Sequence, residues 1–457
     1  MGATITDNTF ELKGRVPITF GPSRLDGQVY ELPHRFPSDQ MEQVHRLVVG
    51  RLRTDSTIDQ SNRGALILLV REFVDQQGYT YNMPDRIAFA EQVVDEIVGY
   101  GPLEPLLADE RITDISVNGP NNVFIMLQGM WRKVDLTFRN DEHLRHIIQR
   151  LVSASGTGRR VDDSSPMVDT RLQDGSRVNV VLPPVSPFPT ISLRKFPKNR
   201  MTAHDLLRLH SATPWMLEFL QDAVRARLNI VISGGTGSGK TTLLGIIAQS
   251  IPNYEKIITI EDPRELLLTQ DIVVPLETRP PNMEGAGEIT VMSLVRNALR
   301  QNPDRIIVGE VRDASAFYML RAMNSGHPGS MSTVHADDAR QAVSTLMSLL
   351  QMDKDINVSE ATGRYMISSS VQLIVQVSKF STNGSRVITG ISEIVPGGQG
   401  DMVSMQEIFS FRRTAILPDG KVKGEFHGGG IVPRCAEKIA VTGKTYPPNF
   451  FEQKHEI

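Results

Sequence analysis

The sequence predicts an α/β protein: a parallel sheet flanked by helices, preceded by a smaller α+β domain and a helical bundle. Three observations carry this. From Thr202 onward, short apolar β-forming runs alternate with helical segments, the grammar of a sheet covered on both faces. Between residues 108 and 199, strand-like runs surround one helical stretch. Between residues 39 and 107, apolar residues recur at helical spacing. A chain of 457 residues can bury two or three separate cores.

Taken in order, residues 1–38 are polar and turn-rich, with Pro17, Pro22, Pro33 and Pro37, and a flexible tail is expected there. "MEQVHRLVVGRL", "GALILLVREFVDQQ" and "RIAFAEQVVDEIVGYG" are three amphipathic helices, a bundle over 39–107. "GYGPLEPLL" breaks the pattern. "ITDISVNGPNNVFIMLQGMWRKVDLTF" reads as two or three strands with an Asn-Gly turn at Asn118. The helix "DEHLRHIIQRLVSAS" and the strands "SRVNVVL" and "TISLRKF" complete the α+β domain over 108–199, with "PPVSPFP" as an internal loop.

The α/β domain is expected over 200–380. Its strand candidates are "LNIVISG", "KIITIED", "DIVVPLE", "RIIVGE" and "GSMSTVHA", with "GKTTLLGIIAQSI" as a helix. From about Gln372 the segments "VQLIVQVSKF", "RVITGISEIV" and "MVSMQEIFSFRR" are β-like, and 381–457 is expected as a C-terminal extension. The methionines of "FYMLRAMNSG" and "STLMSLLQM" fall at helical spacing and read as core.

Composition narrows the function classes. Apolar content of 40% and charged content of 22% are those of an ordinary globular chain. A net charge of -3 supplies no basic field for nucleic acid, and no nucleic-acid partner is expected. The single Cys435 excludes an internal disulfide and fits a reducing compartment. No apolar run is long enough to span a membrane. "MGATITDNTFELKGR" lacks the charged-then-apolar pattern of a secretory signal, so a cytoplasmic location is expected.

The chemistry begins at "VISGGTGSGKTTLL". Gly234, Gly239, Lys240 and Thr241 satisfy G-x-x-x-x-G-K-[ST], with a strand before and a helix after. Glycines let backbone N–H groups wrap phosphate oxygens, and the helix offers its positive end to the same anion. Gly235, Thr236, Gly237, Ser238, Gly239, Lys240, Thr241 and Thr242 are therefore the candidate nucleotide cradle. Lys240 is placed on the β/γ-phosphates and the Thr241 hydroxyl on Mg²⁺. ATP and Mg²⁺ are the implied ligands.

A cradle needs carboxylates at neighbouring strand ends to orient water and metal. In "DRIIVGE" a glycine stands where an Asp usually ends such a strand, and Glu310 follows it. "ITIEDPREL" offers Glu261 and Glu265. "SGHPGSMSTVHAD" offers His327 and His335; with no cysteine nearby, a terminal-phosphate sensor fits better than a zinc site. Phosphoryl transfer also needs positive charge beyond one lysine and a metal ion. The α+β domain holds Arg160, Arg171, Arg177 and Arg194 as candidates.

The motifs "GGTGSGKTT", "ITIEDPREL", "RNALRQNPDRIIVGEVRD" and "GHPGSMSTVHAD", in this order, resemble the type II/type IV secretion ATPase superfamily: its Walker A, Asp box, Walker B and His box. The Gly-Glu form of Walker B is characteristic of that family. "GYGPLEPLLADERITDISVNG", "VDDSSPMVDTRLQDGSRVNVVLPP" and "LETRPPNMEGAGEIT" look like its Tad branch, the ATPases of Flp-type pilus assembly. The resemblance covers roughly residues 90 to 375. It implies a RecA-like P-loop domain behind a PAS-like α+β domain. It also implies a homohexameric ring at the cytoplasmic face of the inner membrane, moving a membrane platform protein by ATP hydrolysis. It points to Arg177 and Arg194 among the arginines. Pro328 and Asp337-Asp338 depart from the family pattern, and no tetracysteine zinc motif is present. Two rivals share the residues: an ATPase of a conjugative or effector-translocating type IV secretion system, and a nucleotide-gated scaffold that barely turns over ATP.

Overall fold

Asn62 and Asn82 begin two of the helices that open the described chain, and each accepts a first-turn backbone N–H, from Ala65 and Asp85. These helices, α2 (Arg63–Gln76) and α3 (Met83–Val98), pack with α1 (Ser38–Thr54). Val44, Val48, Leu66, Val70, Phe89 and Val93 fall at helical spacing and share one core. Each such side chain, fully buried, contributes roughly 1.5–3 kcal/mol. The computed structural model describes residues 36–457 apart from 56–57, 60–61, 128, 157–158, 197–199, 282–284, 353–357, 381, 383, 396–402, 418–421 and 448; before residue 36 it describes only 5–6, 9–10, 18–19 and 29–30. The expected tail over 1–38 thus lies largely outside the described residues.

The chain divides into two compact units, Met1–Lys198 and Asn199–Ile457. In the first, the bundle's own core ends with α3. Gly101 turns the chain at φ +57°, and Leu103 and Leu106 pack into the following core, four or so residues before the boundary expected at 107. That core lies between α4 (Asp141–Ala154) and one face of a sheet. Its strands are β1 (Ile112–Asn118), β2 (Val123–Leu127), β3 (Met130–Val134), β4 (Met167–Arg171), β5 (Arg177–Val181) and β6 (Thr190–Arg194). The order is β3-β2-β1-β6-β5-β4, with the short strand Val29–Tyr30 beside β3. Ile115, Val117, Val178, Val180, Ile191 and Leu193 alternate inward against Leu144, Ile147, Ile148 and Leu151. The β1–β2 connection is longer than an Asn-Gly hairpin. The Asn118 N–H donates to the Asn122 carbonyl, and Gly119 takes φ +77°.

In the second unit a 10-stranded sheet forms. Its strands are β7 (Ile230–Gly234), β8 (Ile257–Glu261), β9 (Val273–Glu277), β10 (Arg305–Val311), β11 (Met331–His335), β12 (Leu373–Lys379), β13 (Arg386–Val395), β14 (Ser404–Ile416), β15 (Val422–Gly428) and β16 (Lys454–Glu456). The order is β9-β8-β10-β11-β7-β12-β13-β14-β15-β16. Pairing is parallel up to β12 and antiparallel from β12–β13 onward. Both faces are buried, which is why β7 opens on the apolar run Ile230, Val231 and Ile232. Ile230 and Ile232 enter the core shared with Leu244 and with Phe219 of α5 (Pro214–Arg225), while Val231 enters that of Val295 and Leu320.

Residues 381–457, expected as an extension, continue this sheet, and Phe409, Phe426, Phe450 and Phe451 join the same core as β7. Met319 and Met323 are buried and Met347 packs against the same core. Met352 is 58% exposed because it falls past the end of the helix Ala339–Leu350, which corrects its reading as core.

Candidate functional site

The cradle is built where β7 meets α6 (Lys240–Ala248). Gly237 takes φ +68° and Gly239 φ +97°, the left-handed region where a side chain is strained. A Cβ on Gly234 would lie 2.4 Å from the Val377 carbonyl oxygen and 2.5 Å from Ser238 Oγ, so the strand can leave the sheet only through glycine. Unlike α2 and α3, α6 has no side-chain cap: Gly239 precedes it, and its first-turn N–H groups stand available to an anion. Gly235 and the exposed Thr236 complete the loop, and the Ser238 hydroxyl is buried without a hydrogen-bond partner among the described residues. Thr241 is half-buried and Thr242 exposed, both in the first turn of α6.

Lys240 lies beneath this loop. Its Nζ donates to the carbonyls of Gly234 (3.0 Å) and Gly235 (3.1 Å). Burial pulls its ammonium below the ordinary lysine range, and the charge of Glu310 opposes that. Glu310 Oε1 stands 3.9 Å away.

A β-bulge brings Glu310 there. Against β11, Val308 pairs with Ser332 and Val311 with Val334, so Gly309 and Glu310 together face a single residue, Thr333. The Thr333 hydroxyl fixes the bulge by donating to the Gly309 carbonyl at 2.7 Å. The odd glycine has a steric reason: a Cβ on Gly309 would stand 3.3 Å from Glu261 Cγ. Glu310 Oε2 accepts from Arg312 Nε (2.9 Å) and Nη2 (2.5 Å).

Glu261 ends β8 and is almost wholly buried. Its Oε2 accepts the backbone N–H groups of Glu265 (2.6 Å) and Leu266 (2.7 Å), so it shapes the loop after its own strand. Oε1 is buried and accepts no hydrogen bond of ordinary geometry. Burial raises this carboxyl, and the nearby Glu265 charge adds to the effect. Glu265, half-buried, lies in that loop.

His335 ends β11 in register with Gly234, exposed at the cradle's edge of the sheet. His327, expected with His335 as a candidate terminal-phosphate sensor, lies elsewhere. It precedes β11, in a loop whose Gly329 and Ser330 N–H groups donate to Asn229 at the start of β7. Parallel strands put that loop at the opposite edge of the sheet, so the length of β11 separates the two histidines.

The α+β unit arranges its arginines by register. Arg194 stands opposite Arg177 and Arg177 opposite Arg171, one row on one face across β6, β5 and β4. Arg194 Nε donates to Asp114 Oδ1 at 2.8 Å, on the next strand of that row. Like charges directly opposed across strands are unfavourable unless an anion shares them.

Sequence reasoning missed Arg312, Gln376 and Arg386. Gln376 interrupts the apolar run "LIVQV" and is buried, the one signal available. Among the described residues no three His, Cys, Asp or Glu gather as a metal cage. A divalent ion here fits the Mg²⁺ pattern of one or two protein oxygens completed by phosphate and water. The Thr241 hydroxyl at the start of α6 and the carboxylate of Glu310 would supply such oxygens.

Residues 96–387 match the family described as "Type II/IV secretion system protein". A Mycobacterium tuberculosis (strain ATCC 25618 / H37Rv) protein named for conjugal transfer is 36% identical over 294 residues, covering 62% of this chain and 81% of its own length. Protein VirB11 of Agrobacterium fabrum (strain C58 / ATCC 33970) is 31% identical over 304 residues, covering 60% and 87%. The crystal structure of the VirB11 ATPase from the Brucella suis type IV secretion system, in complex with sulphate, is 28% identical. It covers 64% of this chain and 94% of that one, with a TM-score of 0.35.

Proposed function

The chain belongs to the type II/IV secretion system protein family, and from that premise we propose that it is an ATP-hydrolysing motor of a pilus-assembly or secretion machine. The observation that carries the reading is one juxtaposition. A glycine loop and an uncapped helix start surround Lys240, and a bulge brings the Glu310 carboxylate to 3.9 Å from its Nζ.

In this reading residues 235–242 bind the phosphates of ATP. The loop and first-turn N–H groups hold them, and Lys240 exchanges its contacts to the Gly234 and Gly235 carbonyls for phosphate oxygens. Thr241 would hold Mg²⁺, whose chemistry when bound is to draw charge from the phosphate oxygens. Glu310 orients the attacking water and accepts its proton as the water oxygen bonds to the γ-phosphorus and the bond from that phosphorus to the β,γ-bridging oxygen breaks, ADP leaving with that oxygen. Arg312 holds that carboxylate meanwhile. Glu261 and Glu265 shape the wall at the neighbouring strand end, and His335 stands at the strand end beside Gly234. The Arg177–Arg194 row is proposed as the source of additional positive charge on the phosphates. A homohexamer acting on a platform protein at the inner membrane would use the cycle. Among the described residues no helix is long and apolar enough to cross a membrane.

The finer reading is Flp-type pilus assembly, supported by the three-helix bundle ahead of the α+β domain and by the motifs over residues 99–119 and 161–184. A second reading, the ATPase of a conjugative or effector-translocating system, is favoured by the relatives named for conjugal transfer and VirB11. Steady-state phosphate release from Mg-ATP by the full chain tests the activity. The wild type is expected to turn over and Glu310→Gln to bind ATP without turnover. A wild type that binds ATP yet releases no phosphate, with or without the platform protein, makes the chain a nucleotide-gated scaffold. Complementation of pilus assembly against DNA or effector transfer in the native host decides between the two machines.

A further inference from the structure

The hairpin β12–β13 lies outside every motif of the cradle, yet it reaches the cradle from two sides. β12 is the direct parallel neighbour of β7, with Val377 opposite Gly234, so its end and the start of β13 stand at the phosphate edge of the sheet. The buried Gln376 side chain uses both ends of its amide there. Its Oε1 accepts from the Ser233 hydroxyl, one residue before the loop. Its Nε2 donates to the carbonyls of Ala336 (3.2 Å) and Asp337 (2.9 Å), immediately after His335. One amide thus ties the strand end that launches the phosphate loop to the strand end that carries His335.

Across the hairpin, Arg386 pairs with Lys379 and lies over the loop itself. Its Nε donates to the Gly237 carbonyl at 2.9 Å. Its Cδ would stand 3.3 Å from a Cβ on Gly239, so the alkyl stem fills the space that glycine leaves. A phosphate loop binds through N–H groups turned toward the anion, and its carbonyls must therefore be held on the other side. A guanidinium on one of those carbonyls does this and adds a fixed positive charge at the loop.

We propose that Arg386 is a positioning residue for nucleotide binding: it holds the Gly237 peptide in its binding conformation, in a hairpin whose place is fixed by Gln376. The inference rests on the reading of residues 235–242 as the ATP cradle. It makes the C-terminal strands part of the site rather than an appendage.

The test uses the full chain, with ATP as the titrant. Arg386→Ala is expected to raise KM for ATP at least about tenfold while kcat changes less than about threefold. Arg386→Lys, which keeps a cationic donor within reach of the carbonyl, is expected to restore KM to within about threefold of wild type. Melting of the nucleotide-free chain is expected to be the same in all three. Arg386→Ala with a wild-type KM overturns the inference. So does a raised KM that Lys does not rescue and that accompanies a lowered melting temperature, since that is general loosening of the hairpin. Lys240→Ala separates the two levels: if it abolishes binding while Arg386→Ala leaves KM unchanged, the cradle stands and only this inference falls. A wild-type chain that binds no Mg-ATP sinks both.

Discussion

At one edge of the large sheet, Arg305 is fully buried and Glu255 nearly so; at the other, Lys240 and Glu310 meet at 3.9 Å. The first pair is closed. Arg305 donates to Glu255 through Nε (2.6 Å) and Nη2 (3.2 Å), and its Nη1 reaches the carbonyls of Val224 and Gly329. Arg227 adds a second cation to Glu255 at 3.2 Å. A Cβ on Gly329 would lie 1.9 Å from Arg305 Nη1, so the chain seals over the pair. The second edge is left unfinished. Lys240 rests on backbone carbonyls, Glu310 is shared with Arg312, and a Glu261 oxygen is buried with no hydrogen bond of ordinary geometry among the described residues. A saturated ion network contributes to the fold and has nothing left for a ligand. A cluster whose partners are replaceable is suited to binding, and it is stabilised less.

Lys240→Ala breaks the open edge most. It removes the cation beneath the cradle, and ATP affinity should fall by about 10³ or more, roughly 4 kcal/mol. Because burial disfavours the Lys240 charge, the nucleotide-free chain should melt no lower than wild type. Isothermal titration and a melting curve on the same sample check both halves. Unchanged affinity would remove Lys240 from the site.

Glu255→Ala is the matching break at the closed edge. It strands a fully buried guanidinium, which costs about 3 kcal/mol or more. The melting temperature should drop, while KM for ATP measured well below the new midpoint stays within about twofold. A KM shift larger than the stability loss accounts for would show that the two edges are not separate.

Glu310→Gln sharpens the contrast with less disruption. The amide keeps the shape on the bulge and loses the charge that turns toward Lys240 and Arg312. Phosphate release should slow at least tenfold, about 1.4 kcal/mol or more, with ATP binding kept. A variant above a tenth of the wild-type rate would move the role of water-orienting acid to Glu261.

The same contrast marks what sequence can carry. The cradle was legible because its residues are contiguous: a strand, a glycine loop, Lys240 and a helix are one local pattern. The sheet was legible because buried parallel strands are mostly apolar. The bulge at Gly309–Glu310 was not, since it exists only against Thr333 of another strand. His327 and His335 share one motif, but only the direction of β11 sends them to opposite edges. The row of Arg171, Arg177 and Arg194 depends on antiparallel register, which no local spacing states. Arg386 reaches Gly237 across 149 residues from strands without a recognised motif. The buried Gln376 was the available hint, a polar residue in an apolar run.

The smallest expected effect belongs to Glu261, which stands at the open edge but is built like the closed one. Its Oε2 shapes a loop through two backbone N–H groups, as Glu255 organises its arginines, while Oε1 accepts no hydrogen bond of ordinary geometry among the described residues. Burial raises its carboxyl above the ordinary 4.5. A raised value means the folded chain holds the proton more tightly than the unfolded one. Its contribution to stability is then fully present below the ordinary value and is lost as pH rises through the raised one. Glu261→Gln keeps an oxygen for the Glu265 and Leu266 N–H groups and removes the titration. Its melting temperature relative to wild type should therefore climb as pH goes from acid to neutral. Melting curves across that range decide the matter. A difference flat with pH means the Glu261 proton does not couple to folding. A variant that instead loses hydrolysis at every pH while melting like wild type places Glu261 with Lys240 and Glu310 among the replaceable partners.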